Sequence, residues 1–511
     1  MQLCYNMKDY NCWWYVYDLL VNILNILESE MIAMQKKQKR LSGTKSLIRS
    51  LEGFVEILAL TIVYYITWRK GYNHDLFPAY FGYGKYVLAG VYALLVLVLF
   101  FAFDGFKFGY LRKTDALLSQ WISLFITNFI TYWQLCLIAN EVISPVPMLM
   151  LMVSGTVIVL ICVIFYTWLY HRIYVPKNMA MILGRDDAVT LKFKMETRPD
   201  KYHITKLIPV EDGFEAICKQ IVNYDAVIIN DVPAEIRNDI LKFCYRHQIR
   251  TYVTPKISDI IVRGATSITL FDTPLLLVKG NGLTPSQQLC KRIMDLIICL
   301  PVAIVALPFM LITPLAIKLE DGGPVFYKQK RVSLGGEEFE ILKFRSMIVD
   351  AEKNGNRGGA TTNDPRITKV GKFIRATRID ELPQLLNIIK GDMSIVGPRP
   401  ERVENMAEFA ETIPEFDFRT KVKGGLTGFA QIYGKYNTSP YDKLRLDMMY
   451  IENYSFILDI KLILMTIRIV LSKESTEGFD KVEEAERKKE EVLHQMHEER
   501  EKEEAAAGGK K

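Results

Sequence analysis

In its C-terminal half the chain runs Arg378-Ile379-Asp380-Glu381-Leu382-Pro383-Gln384, then Gly391-Asp392-Met393-Ser394 and Val396-Gly397-Pro398-Arg399-Pro400-Glu401. Two adjacent carboxylates stand among cations: Lys372, Arg375 and Arg378 precede them, and Arg399 and Arg402 follow. Such cationic density suits a polyanion such as a pyrophosphate, bound directly or through a divalent metal that bridges phosphate and carboxylate. No histidine lies between Thr284 and Leu471, so any acid, base or nucleophile here is of another type, and carboxylates are the obvious candidates. A purely structural reading uses the same residues. Asp380 as a cap, Pro383 in the first turn and Gly391 past the end would make a helix of about ten residues whose acidic start suits the helix dipole.

Further motifs surround the pair. Lys291-Arg292-Ile293-Met294-Asp295 opens a long apolar segment, followed by Gly323-Pro324-Val325-Phe326-Tyr327-Lys328-Gln329-Lys330-Arg331 and Phe339-Glu340-Ile341-Leu342-Lys343-Phe344-Arg345-Ser346-Met347. After the carboxylates comes Gly425-Leu426-Thr427-Gly428-Phe429-Ala430-Gln431. In this order and spacing, from Gln287 to Leu471, the motifs resemble the bacterial sugar transferase family, monotopic phosphoglycosyl transferases that load a sugar phosphate onto a polyprenyl phosphate carrier.

The resemblance implies a reaction between a nucleotide-diphosphosugar, by default a UDP-sugar, and undecaprenyl phosphate, at the cytoplasmic face of the bacterial inner membrane. It assigns Asp380 as the nucleophile that forms an acyl-phosphate. Glu381, with Asp380, would bind Mg2+ or position the incoming phosphate. Arg375 and Arg399 are expected to hold phosphate oxygens, Lys343 and Arg345 to assist, and the loop at Gly425 and Thr427 either to approach substrate through backbone N–H groups or to form a tight turn. Three positions depart from the family pattern: Leu307 replaces a serine, Gly424 a proline and Lys435 an arginine.

These residues need a membrane scaffold. With 511 residues, half of them hydrophobic, and a mean hydropathy of +0.10, the chain is too long for one domain and too apolar to be wholly soluble. Apolar stretches at about 54–67, 86–103, 117–138 and 147–169 approach or reach the length that crosses a bilayer, so residues 51–172 read as a bundle of four spans. Lys36, Lys37, Lys39, Arg40, Lys45 and Arg49 precede the first, Lys107, Arg112 and Lys113 separate the second from the third, and Arg172 and Lys177 follow the fourth. The positive-inside rule then puts the N-terminus, the middle loop and everything after Tyr170 in the cytoplasm, although Arg69, Lys70 and Lys85 run against it. Residues 1–50 show no cleavable-signal pattern and read as an interfacial or poorly ordered lead-in.

A small Rossmann-like α/β domain is expected at 176–281, with strands at 180–184, 225–230 and 250–253. Leu183-Gly184-Arg185-Asp186-Asp187 has one glycine where a dinucleotide loop wants three, so the domain reads as structural or regulatory, with oligomerisation as one such role. The catalytic domain at 287–472 is expected to be α+β and membrane-embedded. Its apolar run contains Pro301, Pro308 and Pro314, and a fifth crossing would carry Asp380 outside, so 291–318 reads as a re-entrant helix broken at Pro308. Lys291 and Arg292 would then sit at the headgroups, near anionic lipid or the carrier's phosphate. Residues 450–471 read as an interfacial amphipathic helix or a core-packing one. The charged tail at 473–511 implies no chemistry.

The net charge of +6 is modest, and no aromatic-basic motif supports nucleic-acid binding. Two rival functions remain at this level. One is an inactive scaffold of a polysaccharide assembly complex, against which the intact Asp380-Glu381 pair speaks. The other is a sugar-nucleotide oxidoreductase, against which the incomplete glycine loop speaks.

Overall fold

The computed structural model describes residues 50–73, 83–107, 111–173, 176–184, 189–349, 351, 364–434 and 438–471. The lead-in, the charged tail, Arg185-Asp186-Asp187 and Lys435 lie outside the described residues. The chain divides into two compact units, Met1–Tyr170 and His171–Lys511.

The first unit contains four helices, α1 (Ser50–Gly71), α2 (Gly84–Ala102), α3 (Lys113–Ala139) and α4 (Val146–Ile173), each apolar and long enough to cross a membrane. Inward-facing Leu60, Tyr64, Tyr92, Val96, Leu124, Leu135, Leu151 and Val163 form its core, while Leu94, Phe129, Leu137 and Val153 point outward. An all-round apolar surface of this kind is what lipid contact requires. Polar groups inside are paired: Tyr92 donates to Asn128 Oδ1 at 3.0 Å, and Gln120 Nε2 to Glu56 Oε2 at 3.0 Å.

The second unit begins with an α/β part: β1 (Lys177–Leu183), α5 (Val189–Glu196), β2 (Tyr202–Pro209), α6 (Phe214–Ile221), β3 (Ala226–Asn230), α7 (Ala234–Arg246), β4 (Arg250–Val253) and α8 (Ile257–Arg263). The strands form one parallel sheet in the order β2-β1-β3-β4. Central β1 and β3 are continuously apolar and buried, as strands covered on both faces must be. The three strands expected from sequence are present, joined by β2 at the edge. Its Tyr202-His203-Ile204-Thr205-Lys206 pattern mixes polar and apolar residues because an edge strand is only partly covered.

After a hairpin of β5 (Thr266–Leu270) and β6 (Thr273–Leu277) comes α9 (Pro285–Asp321), a fifth helix long and apolar enough for a membrane. The expected helix at 291–318 is thus longer at both ends, and helical backbone runs through Pro301, Pro308 and Pro314. Then follow β7 (Phe326–Val332), β8 (Glu338–Phe344), α10 (Lys369–Ala376), α11 (Gln384–Lys390), β9 (Ser394–Val396), β10 (Glu401–Arg402), α12 (Val403–Thr412), β11 (Gly425–Thr427), α13 (Phe429–Tyr433), α14 (Pro440–Glu452) and α15 (Phe456–Leu471). β7 pairs antiparallel with β8 and β10, and β9 pairs parallel with β11.

One apolar core, built on Leu385, Ile388, Val396, Phe416, Leu444, Met448 and Leu462, joins these elements and takes in Ile257 and Ile260 of α8. α15 serves both expected roles: Leu462 and Met465 are buried in the fold, while Phe456, Ile457, Ile460 and Val470 are exposed.

Two local expectations are corrected. Asp380 does not cap a ten-residue helix; it lies in a single 3-10 turn, Ile379–Glu381, and seven-residue α11 follows, with Pro383 as its cap. The left-handed backbone of Arg378, at φ 60°, separates the turn from α10. Lys291 and Arg292 are also committed inside the protein rather than to headgroups. Lys291 Nζ donates to Asp459 Oδ2 at 2.6 Å and to the Tyr450 hydroxyl at 3.0 Å, while Arg292 donates to the Ile388 and Ile389 carbonyls at 2.6 Å each. Arg292 thereby satisfies carbonyls that the end of α11 leaves open.

Candidate active site

Asp380 and Glu381 sit on the turn between α10 and α11, and Asn387 fixes that turn against β8. Leu342 N–H donates to Asn387 Oδ1 at 3.0 Å, and Asn387 Nδ2 donates to the Glu340 carbonyl at 2.8 Å. This double contact brings Lys343, the next residue on β8, to Glu381: Lys343 Nζ donates to Glu381 Oε1 at 2.9 Å. Arg399 Nη2 donates to the same oxygen at 2.7 Å.

Burial would raise the Glu381 carboxyl, but the Arg399 and Lys343 charges beside it overcome that effect and hold it well below the usual carboxylate range. Lys343 itself is lowered by burial, against the pull of Glu381. Asp380 moves the other way. Burial and then the neighbouring Glu381 charge push it up, opposed by Lys343, Arg375 and Arg378. One oxygen, Asp380 Oδ1, is buried with no hydrogen-bond partner. Two adjacent carboxylates therefore have different environments: Glu381 is neutralised by two cations, whereas Asp380 retains an unsatisfied acceptor. Such a group is costly in the resting protein and suited to a ligand.

Arg399 comes from a turn held by the β9–β11 pair. Gly397 N–H donates to the Thr427 carbonyl at 2.8 Å, and Gly425 N–H to the Pro398 carbonyl at 2.8 Å. A Cβ on Gly425 would collide with Gly397 N and approach Thr427 O to 2.5 Å. The Thr427 hydroxyl hydrogen-bonds Thr466 on α15 at 2.7 Å. Of the two alternatives for the Gly425 loop, close backbone packing is therefore the observed role: the Gly425 N–H is spent on Pro398, supporting the turn from which Arg399 extends.

Arg375 lies on α10, close enough for its charge to act on Asp380. Arg345 has a different engagement: it pairs through both terminal nitrogens with Asp321 at the end of α9, and its Nε donates to the Pro324 carbonyl at 2.6 Å. It ties α9 to the start of β7. The structure thus gathers Lys343, Glu381 and Arg399, with Arg375 beside Asp380, and commits Arg345, Gly425 and Thr427 to supporting contacts.

Sequence reasoning missed the support behind Arg399. Arg419 donates from Nη2 to the Arg399 carbonyl at 2.9 Å and lies 2.8 Å from Asp447 Oδ2, with its Nη1 3.4 Å from Glu401 Oε2. Lys443 Nζ reaches the same Glu401 oxygen at 2.9 Å. Burial opposes ionisation of Glu401, yet Lys443 and Arg419 hold it at about 2. No local pattern marks Arg419 and Asp447, because they are separated in sequence and meet only in the fold.

Among the described residues no three His, Cys, Asp or Glu side chains gather as a metal cluster. A magnesium ion needs no such cage: it binds through one or two carboxylates and completes its shell with water and substrate phosphate. Asp380, with its unpartnered Oδ1, and the second oxygen of Glu381 fit that requirement.

Residues 286–473 match the family model described as bacterial sugar transferase. The chain is 37% identical over 263 residues to the UDP-N-acetylgalactosamine-undecaprenyl-phosphate N-acetylgalactosaminephosphotransferase of Aeromonas hydrophila, covering 49% of this chain and 60% of that one. It is 38% identical over 210 residues to the UDP-glucose:undecaprenyl-phosphate glucose-1-phosphate transferase of Caulobacter vibrioides, covering 40% of this chain and 78% of the relative. An uncharacterized sugar transferase of Bacillus subtilis is 40% identical over 187 residues, 37% of this chain and 90% of its own. Against the longer curated relatives, the matching part spans about half of their length.

Proposed function

The chain belongs to the bacterial sugar transferase family, and on that premise we propose that it transfers a sugar 1-phosphate from a UDP-sugar to undecaprenyl phosphate and releases UMP. The observation that carries this reading is the asymmetry of the carboxylate pair. Glu381 is held by Arg399 and Lys343, while Asp380 keeps an unpartnered buried oxygen.

In the first step an Asp380 carboxylate oxygen attacks the phosphorus that bears the sugar. A P–O bond forms to the carboxylate, and the bond to the UMP oxygen breaks. In the second step a phosphate oxygen of the lipid carrier attacks the same phosphorus and displaces the carboxylate, which returns to its starting state. One P–O bond is made and one broken each time, with no net proton transfer, so the overall exchange is near balance and the obstacle is anion meeting anion. Arg375 and Arg399 supply fixed positive charge where phosphate oxygens gather, and splitting the exchange into two displacements avoids bringing both substrates together. Mg2+, held by Asp380 and Glu381, would screen the phosphates further.

The catalytic domain is proposed to lie on the cytoplasmic face of the inner membrane, below four crossing helices, α1 to α4. In this arrangement α9 enters one leaflet and returns. As a straight rod its 37 residues would span about 55 Å, against a hydrocarbon core of about 30 Å. Both ends rest on the same fold: Arg292 on the α11 carbonyls, and Ile317 in a cluster with Phe344, Ile374 and Leu382 just before α11. A straight helix would set Arg292 and Ile317 about 37 Å apart, which favours a bent path. An external label reaching a cysteine introduced at Ser346 would overturn this topology.

The reaction is tested by measuring UMP release from a panel of UDP-sugars by the purified full-length protein with Mg2+, with and without undecaprenyl phosphate. Release that depends on the lipid and on one sugar is expected, and Asp380→Asn should abolish it while membrane insertion is retained. Wild-type turnover by Asp380→Asn would exclude the nucleophile; absence of release from every sugar and nucleotide by a folded protein would favour the scaffold.

A further inference from the structure

α14 faces two ways. Toward the catalytic turn it presents Asp447, 2.8 Å from Arg419, and Lys443, 2.9 Å from Glu401. Toward the α/β part it presents Asp442, which accepts from Lys194 of α5 at 3.2 Å, and Arg445, whose Nη2 donates to Asp231 Oδ1 at 2.9 Å. Between these two sets of charges, Leu444 and Met448 of α14 share a core with Ile257 and Ile260 of α8.

The position of Asp231 is distinctive. It is the first residue after β3, at the carboxyl edge of the parallel sheet, with a left-handed φ of 58°. In the order β2-β1-β3-β4 the chain goes to one side of β1 for β2 and to the other for β3, so the topological switch lies between β1 and β3. Sheets of this kind take ligands in the crevice outside the carboxyl ends of the strands at that point. Here Gly184, at the end of β1, lies directly against the Asp231 backbone, and the Asp231 carboxylate is turned to Arg445 of α14.

We propose that the α/β part seats α14 on the sheet edge where such a domain would otherwise take a ligand, and that α14 thereby positions Arg399 for the transfer reaction. Asp447 and Arg419 are positioning residues for Arg399, and Asp231 acts one step further out. The chain of contact is continuous: Asp231 to Arg445, along α14 to Asp447, to Arg419, to the Arg399 carbonyl, and through the Arg399 side chain to Glu381. Arg419 and Asp447 are 3% and 1% exposed, so neither charge can tolerate losing the other, and displacement of α14 must carry Arg419 and the Arg399 backbone with it. The catalytic part of this inference rests on reading Arg399 as a phosphate holder.

The test uses the full-length protein in lipid nanodiscs and the partly exposed Asp231, so that folding is spared. Asp231→Asn should lower kcat/KM for the UDP-sugar about 3- to 10-fold while leaving KM for undecaprenyl phosphate unchanged. Combined with Arg399→Ala, it should add almost nothing to the loss from Arg399→Ala alone, because coupled residues do not act independently. Multiplying losses would overturn the proposal. A second readout needs no turnover: Asp231→Asn should speed hydrogen exchange at the Gly397 and Gly425 amides, which pin the Arg399 turn. Unchanged exchange at those amides would overturn the coupling even if the protein used none of the sugars tried, an outcome that bears separately on the proposed reaction.

Discussion

The Arg399 guanidinium donates to Glu381 Oε1 at 2.7 Å, an oxygen that also accepts from Lys343 at 2.9 Å. Lys343 is mostly buried, whereas 38% of the Arg399 side chain remains exposed, so Arg399 can hold Glu381 and still offer donors outward. A lysine there would be a single point charge without the planar fork. Arg399→Lys is therefore expected to lower kcat/KM for the sugar nucleotide by about 10- to 100-fold, and Arg399→Ala by about 100-fold or more, in the range found for removing one transition-state donor. Steady-state kinetics with the lipid held saturating checks both.

The same pair sets the pH dependence. Asp380 must be ionised to attack, and burial with the Glu381 charge raises it above its ordinary value of 3.8. The acid limb of kcat/KM should therefore lie above that value. Glu381→Gln removes a negative neighbour and leaves Lys343 with Arg375 and Arg378 to favour the Asp380 anion. The acid limb of this much slower variant should consequently move to lower pH. A limb that stays in place would mean that it reports some other group.

The catalytic pair was legible in the sequence because Asp380 and Glu381 are adjacent and cations cluster within a short span around them. Arg345 carried the same signal and has a different engagement, because motif spacing does not reveal that Asp321 meets it. Central β1 and β3 were legible as unbroken apolar runs, while edge strand β2 was not, since one side of an edge strand is free to be polar. Arg419 and Asp447 resemble ordinary surface charges in sequence, and only burial against each other identifies them.

Gly425 is expected to tolerate no side chain. Its missing Cβ is replaced by Gly397 N and Thr427 O from adjoining backbone, which cannot move aside without opening the β9–β11 pair. Gly425→Ala should cost about 1–3 kcal/mol, in the range for overpacking. It should also lower kcat/KM through the Arg399 turn. Thermal unfolding and kinetics measured on the same sample would separate the two effects; an unchanged Tm would show that the contact relaxes freely.

Lys291 offers the sharpest contrast between position and role. It opens the membrane helix α9, where a cation ordinarily meets lipid phosphate, yet its ammonium is buried on Asp459 and Tyr450, from a segment 168 residues away. Burial and the Asp459 charge push the Tyr450 hydroxyl well above its usual range, so Tyr450 stays neutral and donates to Asp459 Oδ1 at 2.8 Å. Lys291→Met would leave Asp459 with that single neutral partner and an uncompensated charge, costing about 3–5 kcal/mol. Adding Asp459→Asn should restore a large part of the loss, since removing both charges is far cheaper than stranding one. KM for undecaprenyl phosphate should be near normal in the double variant at a temperature where it is folded. A stable double variant with a tenfold higher KM for the lipid would instead return Lys291 to the carrier's phosphate.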